Sequence, residues 1–84
     1  MITSAQCRAA RGLLDWRQQE LADRARVGVV TVRQVEVGLT EPRRATLGVI
    51  SRALEGVGVE FIDENGGGPG VRLRKRQRVN ISKA

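Results

Sequence analysis

All but two of the 15 cationic side chains in this 84-residue chain are arginines, the exceptions being Lys75 and Lys83. A planar guanidinium grips a phosphate through two parallel N–H donors, where an ammonium offers only a point charge. Against nine carboxylates the cations leave a formal charge of +6. The composition therefore favours attraction to a polyanion, with plain solvation of surface charge as the alternative. Other chemistries are poorly supplied. There is no histidine and a single cysteine, Cys7, so neither a zinc cluster, nor a Cys–His couple, nor an internal disulfide can be built. No carboxylates stand at a spacing that serves paired acid–base work. The expectation is a chain that is not an enzyme, holds no metal and needs no cofactor. Cys7 reads either as a buried inert thiol or as a redox sensor, and its place inside a helical pattern favours the first. One unpaired cysteine also suits a reducing cytoplasm. The glycines around Pro69 lack the Lys-Ser or Lys-Thr of a P-loop and precede a strand, so residues 66–70 read as a flexible turn.

The elements that must position these side chains are short. Thr3 and Gln6 have the spacing of a capping box, and Ala5, Ala9 and Leu13 with Ala10 and Leu14 recur at helical intervals, which predicts a helix from about Ser4 to Leu14. Asp15-Trp16-Arg17 breaks it. Trp16 reads as a core plug between helices rather than a stacking platform. A second helix, Gln18 to Ala25, carries Leu21, Ala22 and Ala25. After the turn Arg26-Val27-Gly28, Val29 to Glu36 is a third helix. Its four β-branched valines suit a strand by themselves, but Val32 and Val35 stand three apart as one helical face requires. Gly38 suits its end. Leu47, Ile50, Ala53 and Leu54 mark a fourth helix from about Arg43 to Glu55. Val57, Val59 and Phe61 then alternate with Gly58, Glu60 and Ile62 as a strand, and Val71 and Leu73 alternate with Arg72 and Arg74 as a returning one. Lys75 to Ala84 is basic and without periodicity, and reads as a disordered end.

Within Gln18 to Val37, QQELADRARVGVVTVRQVEV, the apolar residues stand where a helix-turn-helix needs them. Leu21, Ala22 and Ala25 lie on its first helix, Val27 in the turn, and Val32 and Val35 on its second, with the small Ala22 permitting a close crossing. By the run QCRAARGLLDWRQQELADRA, the phrase VRQVEVG and the following EPRRATLGVISRAL, the chain resembles the Xre-like family of phage and bacterial repressors over about Met1 to Val59. The resemblance implies a compact helical domain that binds double-stranded DNA. The fold class expected is mainly α: a four-helix domain over 1–56, a β-strand or hairpin over 57–74 used for dimerisation, and a basic tail over 75–84. Two positions depart from the family. Arg26 stands at the turn position that is usually glycine, where a left-handed non-glycine residue costs on the order of 1 kcal/mol. Gly28 stands where a polar N-cap is usual.

The resemblance also implies roles. Gln18 sits where relatives hold a phosphate, Arg43 and Arg44 match a backbone clamp at the start of the fourth helix, and Arg11 and Glu36 match a structural salt bridge. With Val32 and Val35 buried, Gly28, Val29, Val30, Arg33 and Gln34 are expected to meet base edges. Gln34 can pair with adenine, Arg33 with guanine or a phosphate, and Val29 and Val30 with thymine methyl groups. Thr31 either supports the helix or reaches a phosphate. The rival reading makes this face a protein-binding surface, as in an antitoxin or anti-activator that kept the fold. One such head makes few base contacts, and an isolated hairpin is not stable in water. A homodimer through Val57, Val59, Phe61, Ile62, Val71 and Leu73 is therefore expected, with two heads on a near-palindromic operator. A repressor is favoured over an activator, since 84 residues leave no room for a separate effector domain. Arg72, Arg74, Lys75, Arg76 and Arg78 either add phosphate or minor-groove contacts or keep the tail soluble. No basic segment leads into an apolar run at the start, and no stretch approaches the length of about 20 residues needed to span a bilayer. A cytoplasmic, nucleoid-associated protein is expected.

Overall fold

The computed structural model describes residues 2–39, 41–63 and 66–74; the basic stretch from Lys75 onward, with Arg76 and Arg78, lies outside them. Among the described residues four helices, α1 (Ser4–Leu14), α2 (Gln18–Ala25), α3 (Val29–Val37) and α4 (Arg44–Gly56), precede two strands, β1 (Val59–Ile62) and β2 (Gly70–Leu73). The protein is mainly helical, with a short antiparallel hairpin at its carboxy-terminal side.

Local chemistry sets the helix ends. At the start of α1 the Thr3 hydroxyl accepts from the Gln6 amide at 3.0 Å, and the Gln6 carbonyl oxygen Oε1 accepts from Thr3 N at 2.9 Å. Two amides that a helix start leaves orphaned are thereby satisfied. Asp15 (φ 58°) ends α1 and Arg26 (φ 61°) ends α2, both left-handed, and each returns its N–H to the last carbonyls of its helix. Aspartate tolerates that conformation better than arginine does. Arg26→Gly should therefore raise stability by about 0.5–1 kcal/mol, net of glycine's greater freedom in the unfolded chain. A thermal melt checks this: an unchanged or lower midpoint would mean that the Arg26 side chain compensates for its backbone.

α3 runs one residue further than its pattern suggests, and α4 starts one residue later, with Arg43 as an extended N-cap. Gly38 (φ 73°) stops α3 where a side chain would not fit, since a Cβ there would stand 2.9 Å from Ser4 Oγ. That hydroxyl donates to Val35 O at 2.6 Å and ties α1 to the end of α3. The core is aliphatic: Leu21, Val32, Val35, Ile50, Leu54 and Val59 are fully buried, with Cys7 among them. Buried Ala22 and Ala25 let α2 lie close to α3. Trp16 packs against this core while the Arg24 guanidinium lies 5.0 Å above its ring centre.

The hairpin pairs Val59 with Leu73, Glu60 with Arg72, Phe61 with Val71 and Ile62 with Gly70. The pleat sends Val59, Phe61, Val71 and Leu73 against the helical core. Glu60 and Arg72 emerge on the opposite face, where they pair at 2.7 Å. Buried Gln6 fastens the end of the hairpin to α1, its Nε2 donating to Ile62 O at 3.1 Å and to Gly70 O at 2.9 Å. Arg74 N donates to Gly58 O at 2.8 Å, and its guanidinium donates to Glu55 O at the end of α4. One expectation is corrected here. The first strand begins at Val59, not Val57, because Val57 caps α4 and Gly58 (φ 106°) turns the chain. Val59 is buried against the protein's own helices, and Phe61, Val71 and Leu73 are half-buried beside it.

Candidate nucleic-acid interface

At 3.6 residues per turn α3 presents two faces. Val32, Val35 and Glu36 are buried, and Val29, directly above Val32 and Glu36, is half-buried against the core. Val29 thus departs from the outward set in which its neighbours stand. The outward stripe is Val30, Arg33, Gln34 and Val37, at the i, i+3, i+4 and i+7 positions of one face. All four are exposed, Val30 at 56% and Val37 at 61%, and beyond the helix Leu39 is 86% exposed. Val30, Arg33, Gln34, Val37 and Leu39 together line a shallow groove of about 270 Å³. Sequence reasoning reached Val30, Arg33 and Gln34 but not Val37 or Leu39. The signal for Val37 was present in its seven-residue spacing from Val30; Leu39, past the helix stop, had none.

A part-buried ionic cluster ties α3 to α1 and α2. Glu36 accepts from Arg11 Nε at 2.8 Å and Arg11 Nη2 at 2.9 Å, and from Gln18 Nε2 at 3.0 Å. Cys7 Sγ lies 3.5 Å from the same carboxylate. Arg8 donates to the main-chain oxygen of Glu36, and Arg11 Nη1 to that of Trp16. Three helices thereby converge on one carboxylate. Burial pushes the Glu36 carboxyl up, but the bonds from Arg11 and Gln18 together with the charge of Arg11 outweigh it and hold the group below the ordinary glutamate range. The Cys7 thiol is pushed up to about 12, first by burial and then by the adjacent Glu36 charge. A thiol so rarely ionised is a poor nucleophile.

Among the other residues singled out by the sequence, Gln18 is half-buried and gives one amide N–H to Glu36, which leaves its second N–H for an outside acceptor. Thr31 is half-buried beside the exposed Gly28, which starts α3 without a side-chain cap. Arg43 and Arg44 are both exposed at the start of α4, whose N-cap likewise makes no side-chain bond. Leu39 joins these regions, since it also borders a second hollow that reaches Pro42 and Arg44. Among the described residues no three His, Cys, Asp or Glu side chains could share a metal ion, and no helix is long and apolar enough to cross a membrane. In chemical terms the surface offers bidentate donors on one helix face, cations at the mouth of the next helix, and an apolar floor between them.

A helix-turn-helix family model matches residues 8–62, from α1 to the last residue of β1. No curated protein matches the chain.

Proposed function

The chain belongs to the Xre-like helix-turn-helix family of DNA-binding regulators, and on that premise we propose that it is a sequence-specific transcriptional repressor that binds a near-palindromic operator as a homodimer. The observation that carries this reading is the outward stripe of α3. Arg33 and Gln34 stand side by side and exposed there, while the only acid of the helix, Glu36, is turned inward and paired. With α3 in the major groove, Arg33 matches the acceptors of guanine and Gln34 the donor–acceptor edge of adenine, with Gly28 allowing close approach. The second amide N–H of Gln18, the hydroxyl of Thr31, and Arg43 and Arg44 supply phosphate contacts, which set register without reading sequence.

In this reading residues 1–56 form the DNA-binding part, 57–74 the assembling part, and 75–84 a basic tail, and the protein acts in the cytoplasm at the nucleoid. A single head makes few base contacts, and two heads one DNA turn apart, about 34 Å, multiply them. The hairpin is the candidate join. The Gly58–Arg74 bond sets the phase of the ladder, so the backbone groups of Phe61 and Val71 face the two outer edges, where a second copy can add a strand. Sedimentation of the intact protein tests the assembly, and a monomer at concentrations that saturate the operator would remove the dimer from the proposal.

The central experiment titrates the protein against duplexes from its own upstream region at several salt concentrations. Submicromolar binding at about 0.15 M salt, weakening steeply as salt rises, is the expected result. Weak binding indifferent to sequence would sink the proposal. In the same assay Arg43→Ala should weaken binding to all duplexes alike and make the salt slope shallower by about one unit.

A further inference from the structure

Of the four large apolar side chains exposed among the described residues, three, Val30, Val37 and Leu39, lie in the groove of α3 beside Arg33 and Gln34. Exposed aliphatic surface gathered in one place marks an interaction site. The neighbours narrow what it meets. Among the described residues no carboxylate lines the groove, and its only polar walls are a guanidinium and an amide, the two side chains best suited to purine edges. In the major groove the one apolar feature a base presents is the C5 methyl of thymine. We infer that Val30 and Val37 are specificity-determining residues that receive thymine methyl groups on either side of the base pairs met by Arg33 and Gln34, with Leu39 closing the end of the groove. Val30 and Val37 are separated by about 10 Å of helix at 1.5 Å per residue. That is about three base steps at 3.4 Å each. The half-site is therefore flanked by thymines about three steps apart, with a purine recognised between them. The inference rests on the DNA-binding reading above and adds a base preference to it.

Selection from a random duplex pool supplies the probe, followed by replacement of each thymine of the selected duplex with deoxyuridine, which keeps the pairing and removes only the methyl. The wild type should lose about fourfold in affinity for each methyl that is buried in the groove. Val30→Ala should become indifferent to uracil at one of these positions and Val37→Ala at another. Both positions are exposed, so both variants should melt like the wild type. A selected duplex bound equally well with uracil throughout would overturn the inference while leaving the DNA-binding reading intact. If no duplex is selected at all, the DNA-binding reading falls and this inference with it.

Discussion

Glu36→Ala is expected to cost about 3 kcal/mol or more of folding stability, a large share of the total of about 5–15 kcal/mol usual for a small domain. The side chain is 3% exposed and receives Arg11 through two donors, Gln18 through one and the Cys7 thiol at 3.5 Å. Removing it strands a cation and an amide at the meeting point of α1, α2 and α3, and leaves a cavity beside them. The Arg11 side chain remains 22% exposed, so part of its charge can rehydrate, which places the loss toward the lower end of the range for a broken buried pair. Urea melts measure it. A loss under about 1 kcal/mol would show that the cluster behaves like an ordinary surface pair.

The same carboxylate sets a pH dependence of definite sign. Its folded pKa lies below the unfolded value, so its stabilisation is fully present above the unfolded pKa, about 4.3. The stabilisation is lost as pH falls from there through the folded value. Nothing comparable operates near neutrality, because the chain has no histidine and the Cys7 thiol is pushed up to about 12. Stability should therefore be level from about pH 5 to 8 and fall below about pH 4, and the part due to Glu36 should be missing in Glu36→Gln. If that variant kept the full acid sensitivity of the wild type, other carboxylates would be responsible.

Replacing Arg33 and Gln34 together by alanine should abolish most discrimination between a selected duplex and random DNA. A good bidentate base contact is worth about 1–3 kcal/mol of discrimination, or roughly 5- to 150-fold for each residue. Together they should lower the specificity ratio by about a thousandfold where both contacts are good. Both side chains are exposed on α3, and neither has a charged partner among the described residues. The folding stability should stay within about 0.5 kcal/mol of the wild type. Residual nonspecific binding should remain salt-dependent through Arg43 and Arg44. An unchanged specificity ratio would mean that another face of the protein reads the DNA. This contrast separates the two large effects: Glu36 is needed for α3 to be held in place, whereas Arg33 and Gln34 are needed only for what α3 then touches.

The sequence by itself determined the elements whose boundaries are decided by neighbours a few residues away. Thr3 and Gln6 cap α1 because both bonds lie within one turn, and Gly38 ends α3 because a left-handed residue there must lack a side chain. The helix-turn-helix was legible for the same reason, since Leu21, Ala22, Ala25, Val32 and Val35 are spaced by helical geometry alone. The β-branched α3 is helical against its own propensity because burying Val32 and Val35 outweighs the few tenths of a kcal/mol per residue that propensity offers. What only the tertiary structure decided are matters of contact across long stretches of chain. Gln6 reaches Ile62 and Gly70, 56 and 64 residues away, and draws the apolar face of the hairpin onto its own helices. Gln18 turns one amide N–H to Glu36, and Val29 leans onto the core while Val37 and Leu39 stay in the open. A periodic pattern states which residues share a face; it does not state which neighbour that face will meet, because the meeting is settled by the packing of all the elements at once.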